Sequence, residues 1–330
     1  MTMSAKLIEP EARSAWQLAR ANWLLIGAMG ASVGLGMAAF GFSIDAWDFG
    51  IVLAIAALYG TMGWYHLRRK ATPDPKVVFI LTAIGQLIFI VAFMGPLTYV
   101  AGAFNFPLRD GLYLAIDRAL GLDPRAILDF FNARPDLAVW LEAGYGMIRW
   151  PLLGIPVVLA MTMRLRRLQI FVLAFALALI ATLVVSALVP AIGTYYGLGV
   201  LAEITPNLNT TIYAKQLHDI PALRDGTLRD LELFKLAGIV AFPSFHAASA
   251  ILYAWALWPV RGFGIMAAFL NAAMLAATPV VGAHYLIDVF GGIAVALASI
   301  ALAKRFAASM ERDPARTSFV ISTTASQPTT

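Results

Sequence analysis

Apolar residues in this chain do not alternate with polar ones; they run together. Eight stretches stand out, at 22–43, 49–66, 77–101, 138–163, 169–189, 243–259, 263–281 and 284–303. Each approaches or exceeds the ~20 residues a helix needs to cross a hydrocarbon core of ~30 Å. The pattern predicts an all-α integral membrane protein with about eight transmembrane helices. So little chain separates the last two runs that they are expected to form a tight helical hairpin. Between the runs lie two long hydrophilic stretches, 102–136 and 190–242. The first reads as two short amphipathic helices around Gly121 and Pro124. The second carries Gly193-Thr-Tyr-Tyr-Gly197 and then a charged segment. No internal repeat is evident. Residues 1–21 are expected to be a cytoplasmic segment containing a short surface helix at 10–20. Residues 22–75 hold two additional spans, 76–305 the remaining membrane core, and 306–330 a disordered cytoplasmic tail. The mixed charge of 1–20 does not fit a cleavable signal, which has a short basic region and then a short apolar core.

Composition supports the membrane reading. Hydrophobic residues make up 60% and charged residues 13% of the 330, with a mean hydropathy of +0.77. A soluble domain carries roughly 25% charged residues. The absence of cysteine excludes disulfides, thiolate metal sites and cysteine nucleophiles. The net charge of +5 raises nucleic acid as a partner, but the placement of the basic residues explains it differently. With the N-terminus inside, fifteen of the 24 basic residues fall on the inner side, including the Arg68, Arg69, Lys70 and the Arg164, Arg166, Arg167 clusters. That is the positive-inside bias. Asp45, Asp48, Asp110, Asp117 and Asp123 then lie outside. The expected location is a plasma or inner membrane, with both termini cytoplasmic; no nucleic-acid partner is expected.

The histidines carry the chemistry. His66 and His218 read as interfacial or solvated side chains. His246 lies in Phe242-Pro-Ser-Phe-His246 and His284 in Gly282-Ala-His-Tyr-Leu-Ile-Asp288, each at the outer start of a span. Asp288 follows His284 by four positions, so a helix would put both on one face. A carboxylate on one imidazole nitrogen fixes the tautomer and leaves the other as a nucleophile. Ionisable groups within spans are costly, which makes such a pair a functional candidate. Helix starts also attract anions through free N–H groups and the positive end of the dipole. Pro243 and Ser244 suit a helix entrance.

The phrase Phe-Pro-Ser-Phe-His246, followed 38 positions later by His284-Tyr-Leu-Ile-Asp288, resembles the second and third signature motifs of the type-2 phosphatidic acid phosphatase superfamily. The wider stretches 238–246 and 282–292 resemble its inositol phosphorylceramide synthase-like (inositolphosphotransferase) branch. The resemblance implies a six-helix lipid-phosphatase-like core to which two N-terminal helices are added. It implies that His284 attacks phosphorus and forms a phosphohistidine, that Asp288 orients it, that His246 protonates the leaving oxygen, and that Ser244 bonds a phosphate oxygen. A water acceptor makes a phosphatase and an alcohol acceptor a transferase; no metal or other cofactor is implied. The substrate would be a phospholipid, sphingolipid or isoprenoid phosphate among the membrane lipids, met at the outer or periplasmic face.

One departure matters. Thr278 stands six positions before His284, where phosphatases of the family carry an arginine. Their first motif, a Lys and then Arg-Pro, is missing too, losses that the synthase-like branch shares. Phosphoryl transfer still needs positive charge at the equatorial oxygens. Arg149 is the expected replacement, about 9–10 Å below the outer edge of the fourth span at 1.5 Å per residue. Glu142, Tyr145 and Arg149 would share one helical face. The expected substrate-binding set is therefore Ser244, Arg149 and Tyr145. A structural Glu142–Arg149 pair or a snorkelling arginine is the alternative for Arg149; Lys215, Arg224, Arg229 and Lys235 are alternatives as the cation. Tyr195, Tyr196 and Trp150 could line a lipid entrance or serve as interfacial anchors. For the whole chain, a proton-coupled transporter using the His–Asp pair and a catalytically inactive scaffold remain the competing readings.

Overall fold

A computed structural model describes residues 10–69 and 72–312. Among them are thirteen α-helices: α1 (Pro10–Phe40), α2 (Ala46–Arg69), α3 (Pro75–Gly102), α4 (Asp110–Ala119), α5 (Pro124–Asn132), α6 (Pro135–Gly146), α7 (Pro151–Met161), α8 (Leu165–Leu188), α9 (Thr194–Leu198), α10 (Thr211–Asp225), α11 (Phe245–Leu257), α12 (Phe263–Val281) and α13 (Leu286–Arg312). The protein is an all-helical membrane protein. The two short helices expected around Gly121 and Pro124 are α4 and α5.

Among the described residues six helices are long and apolar enough to cross a membrane, α1, α2, α3, α8, α12 and α13, and the count is seven if a bent pair is one span, against the eight expected. The fourth run is a broken pair, α6 and α7, bent by 57°. Pro151 follows the break, and a proline lacks the N–H that would continue the helical ladder. The sixth run forms only the 13 residues of α11, ~20 Å at 1.5 Å per residue. Pro243 before it and Pro259 after it confine the helix. The segment 10–20 is not a separate surface helix. It is the first part of α1, with Ala12, Ala15, Trp16, Leu18 and Ala19 buried, because no Pro or Gly interrupts the chain between Pro10 and the first span. The last helix continues to Arg312. The remainder of the expected tail, 313–330, and residues 1–9 lie outside the described residues, as do Lys70 and Ala71.

The ends of the long helices collect in two layers, with α1, α3, α8 and α12 ending in the first and α13 in the second. Phe40 meets Phe104 at one end, with ring centroids 4.9 Å apart. At the other end Arg166, in the first turn of α8, pairs with Glu311 near the end of α13 at 2.9 Å. The membrane core between these layers is one apolar cluster drawn from α1, α3, α7, α8, α11, α12 and α13. Two polar clamps tie α1 into it. Asn22 Nδ2 donates to Gln169 Oε1 at 2.9 Å, and Gln86 Nε2 donates to the Ala19 carbonyl at 2.8 Å. In a bundle surrounded by lipid, such bonds add to van der Waals packing in holding helices together.

Helices α4, α5, α9 and α10 form a cap over the first layer, with its own apolar cluster. A parallel pair of two-residue strands, β1 (Ser43–Ile44) and β2 (Asp230–Leu231), joins the α1–α2 connection to this cap. Asp219 of α10 is fully buried and accepts from Tyr99 Oη at 2.6 Å, Lys215 Nζ at 3.0 Å and His218 Nδ1 at 2.8 Å. Burial alone would raise its pKa, but these donors outweigh it and hold the carboxyl below the usual range. The expected tight hairpin of α12 and α13 is a close turn rather than a packed pair. From it α12 runs against α6 and α11, and α13 against α8 and α11.

That last packing depends on glycine. A Cβ on Gly292 would sit 2.2 Å from the Ser244 carbonyl oxygen, and one on Gly291 would sit 2.7 Å from the Phe242 ring. Gly292→Ala should destabilise the protein by ~1–3 kcal/mol through overpacking, read as a lowered thermal midpoint in detergent. Gly34→Ala, with nothing within 4 Å of the added atom, should leave the midpoint unchanged or raise it. A second expectation concerns pH. Because the Asp219 pKa is depressed, its stabilisation is present above the unfolded carboxyl value and is lost as pH falls through the folded one. Asp219→Asn should therefore flatten the acid limb of a stability–pH curve.

Candidate active site

Two backbone segments meet where α11 and α13 begin. Ser244 caps α11 in an extended conformation, its Oγ accepting from the Ala247 amide at 3.4 Å. Its own amide donates to the Asp288 carbonyl across the interface at 2.9 Å. That bond sets the start of α11 against the first turn of α13.

On the α13 side the chain turns sharply. Ala283 has a φ of +52°, a left-handed conformation that a residue with a Cβ rarely adopts. The turn is held by its carbonyl, which accepts from the Thr194 amide at 2.8 Å and from Thr194 Oγ1 at 2.9 Å. His284 follows, buried at 4% exposure. Its Nδ1 lies 3.1 Å from Asp288 Oδ2, and the same oxygen accepts from the Tyr285 amide at 3.0 Å. A carboxylate there places the ring proton on Nδ1 and leaves the Nε2 lone pair free of it. Nε2 lies 3.3 Å from Ser244 Oγ. The pairing of His284 with Asp288 expected from their spacing is thus present, and Ser244 joins it.

His246, in the first turn of α11, stacks on Tyr145 of α6 with ring centroids 3.8 Å apart and planes 13° from parallel. Both line a cavity of about 640 Å³, together with His284 and Arg149. Neither the His246 ring, the Tyr145 hydroxyl nor the Arg149 guanidinium has a hydrogen-bond partner among the described residues. The rest of the lining is mostly apolar: α3 from Ile84 to Thr98, α7 and α8 through Leu152, Leu179 and Leu183, and the segment from Leu233 to Val240.

Arg149 reaches this cavity in a different way from that expected. It does not share an unbroken helical face with Glu142 and Tyr145, because α6 ends at Gly146 and Arg149 lies in the bend before α7. Glu142 instead accepts from Asn209 Nδ2 at 3.4 Å, so no Glu142–Arg149 pair forms. The other cations are engaged elsewhere. Lys215 pairs with Asp219 and Lys235 with Glu232. Arg224 donates to the Phe106 carbonyl. Arg229 donates to the Leu223 and Leu228 carbonyls and lies over Phe42. Thr278 is buried and donates to the Met274 carbonyl at 2.8 Å, so its hydroxyl is already spent within α12. Of the aromatics considered for an entrance, Tyr195 is buried, whereas Trp150 and Tyr196 are exposed.

Three residues central to this geometry were not singled out as site residues in the sequence. Asp117 accepts from the Leu286 and Ile287 amides at 2.7 and 2.9 Å, so it caps α13 from a different helix. Asp110, one α4 face away at i−7, accepts from the Ile192 and Gly193 amides at 3.1 and 2.9 Å. Tyr285 Oη donates to Asp110 Oδ1 at 3.0 Å or the Gly193 carbonyl at 2.9 Å. Burial pushes both aspartates up, and the amide bonds work against that shift. Glycine at 193 and 197 admits this arrangement. A Cβ on Gly197 would lie 2.0 Å from Tyr285 Oη, and Gly193 has a φ of +136°. The Gly193–Gly197 phrase is the seat of the turn that carries His284. Its signal was visible, but nothing in one sequence says which turn it receives.

Comparison with known proteins supplies a family. A family model described as the PAP2 superfamily matches residues 113–302, more than half of the chain. No curated protein and no solved structure matches.

Asp117→Ala should lower the thermal midpoint by the equivalent of ~1–3 kcal/mol, the cost of leaving buried donors unpaired. It should also lower kcat on a lipid phosphate, since His284 sits immediately before the turn that Asp117 caps. Wild-type kcat in a folded Asp117→Ala protein would refute the link between this cap and the histidine.

Proposed function

The chain belongs to the PAP2 superfamily, whose members generally act on phosphoric esters, and from that premise we propose that it moves or removes the phosphate-bearing group of a membrane lipid through a phosphohistidine on His284. The observation that carries the reading is the single cavity of about 640 Å³ in which His246, His284, Tyr145 and Arg149 face an otherwise mostly apolar lining. A lipid phosphate has the same division, an anionic end and an apolar remainder.

The proposed chemistry runs as a two-step transfer. The Nε2 lone pair of His284 attacks phosphorus as the bond to the leaving oxygen breaks. His246, protonated, gives its proton to that oxygen. The neutral His246 then takes a proton from water or an alcohol, whose oxygen attacks the phosphohistidine and returns His284 to its starting state. Asp288 holds the Nδ1 proton of His284 throughout and offsets the positive charge of the phosphorylated ring. Ser244 Oγ, now 3.3 Å from Nε2, turns to a phosphate oxygen when substrate arrives. Arg149 supplies the cation that Thr278 does not, and the starts of α11 and α13 add the positive ends of two helix dipoles. Tyr145 keeps the His246 ring in plane by stacking.

Within this reading the chain acts as an inositolphosphotransferase-like enzyme, in which an alcohol rather than water is the acceptor. The motif phrases at 238–246 and 282–292 and the missing phosphatase arginine favour that branch. The basic residues gathered at the opposite end, including Arg164, Arg166, Arg167 and Lys304, favour an active site on the outer face.

Purified protein should release phosphate from a lipid phosphate, or pass a phospho-headgroup to an added polyol, and should form an acid-labile, alkali-stable phosphoenzyme. His284→Ala should abolish both signals; retained turnover in that variant overturns the mechanism. His246→Ala should slow turnover by ~10²–10⁴-fold, the usual range for a general acid. Arg149→Ala should cost ~10²–10³-fold in kcat, as loss of a transition-state charge partner does. Sidedness is testable because the chain has no cysteine. A membrane-impermeant maleimide should label Glu203→Cys in intact cells and should miss Ser309→Cys.

A further inference from the structure

A second cavity of about 780 Å³ lies at the end of the bundle opposite the histidines. Four elements contribute to its wall: the start of α1 (Glu11, Ser14), the start of α8 with the residue before it (Arg164, Arg166, Arg167, Ile170), the end of α11 (Trp255) and the last turns of α13 (Lys304, Ala308, Glu311). Along α13, Asp288 and Glu311 are 23 residues apart, ~35 Å at 1.5 Å per residue. This cavity is therefore separate from the site that holds His284, on the far side of the membrane core.

Its charges do not cancel. Four basic side chains face two acidic ones. Arg166 Nε pairs with Glu311 at 2.9 Å, and Ser14 Oγ donates to the same carboxylate at 3.3 Å. Glu11 accepts from the Arg166 amide at 3.4 Å. Arg164 Nη2 donates to the Pro259 carbonyl at 2.9 Å. Arg167 Nε donates to the Ala256 carbonyl at 2.9 Å, its Nη2 to the Trp255 carbonyl, and its guanidinium lies 4.2 Å from the Trp255 ring centroid. These bonds pin Arg164 and Arg167 at the end of α11, yet each guanidinium keeps donors unused: Nε and Nη1 of Arg164, and Nη1 of Arg167. Lys304 has no hydrogen bond or ion pair among the described residues. The result is a preorganised cationic pocket with two fixed guanidiniums and a free ammonium.

We propose that this pocket binds the phosphate headgroup of an anionic membrane lipid, as a site distinct from the catalytic one. Three features select a lipid over a soluble anion. The pocket lies where the long helices end, at the level of the headgroups. Its wall includes Ile170, Trp255 and Ala308, which a lipid chain can follow toward the core. Basic pockets between transmembrane helices are the usual seats of anionic headgroups, and the aromatic face of Trp255 suits the interface. Bound lipid would link α1, α8, α11 and α13 by neutralising the charge that their ends bring together.

The test uses the full-length protein in nanodiscs with photoreactive phosphatidylglycerol or photoreactive phosphatidylcholine, followed by peptide mapping. Phosphatidylglycerol should label peptides containing 164–170 or 304–311, and phosphatidylcholine should not. Lys304→Gln, which breaks no protein contact, should cut that labelling at least tenfold, and Lys304→Arg should restore most of it. Equal labelling by the two lipids, or undiminished labelling in Lys304→Gln, would overturn the site. Inorganic phosphate at millimolar concentration should compete only weakly. Full displacement by it would overturn the lipid assignment in favour of a soluble anion. Labelling at the His284 end reports on the catalytic cavity alone, so the two sites succeed or fail separately.

Discussion

The contact on which the rest of the structure turns is the hydrogen bond from the Ser244 amide to the Asp288 carbonyl, 2.9 Å long. It sets the start of a short helix against the start of a long one, with no side chain between them. Gly291 and Gly292 make the approach possible, since any Cβ there would strike Phe242 or the Ser244 carbonyl. Once the two backbones are this close, Ser244 Oγ faces His284 Nε2. His246, two residues further along α11, projects into the same cavity as His284. Asp288 then fixes the His284 ring through Nδ1 at 3.1 Å. The positions of these groups follow from where two helices begin.

This closeness creates an electrostatic problem that the cap solves. Asp110, Asp117 and Asp288 are all buried around the turn that carries His284. Carboxylates deprived of water must be hydrogen-bonded or they give up their charge. Asp117 spends its oxygens on two amides of α13, and Asp110 spends its own on two amides ahead of α9 and on Tyr285. The cap thereby does for α13 what an N-cap residue ordinarily does from within its own chain segment.

Much of this was legible from the chain alone, and the parts that were not share a cause. Long apolar runs announce their helices because a membrane tolerates few alternatives, so α2, α3, α8 and α12 fall close to where they were expected, whereas α1 starts earlier and α13 ends later. The His284–Asp288 pair was legible from its four-residue spacing, although His284 lies in the turn before α13 and not on a shared helical face. The break between α6 and α7 was harder. The apolar run continues through it, and only Pro151 marks the place where direction changes. Arg149 was found for a reason that does not hold, a continuous face with Glu142, and it reaches the cavity through the bend instead. Asp110 and Asp117 were read only as acidic residues on the outer side of the membrane. Their partners are backbone amides more than 80 residues away in sequence, and a backbone amide leaves no trace in residue identity.

The region matched by the family begins at residue 113, after α3 has ended. Yet α3, from Ile84 to Thr98, forms a long wall of the cavity that holds both histidines. The two histidines therefore lie inside the matched region, while one wall of their cavity lies outside it. Under the proposed function, substitutions in α3 would change the apolar wall against which a lipid tail lies while leaving His246 and His284 untouched.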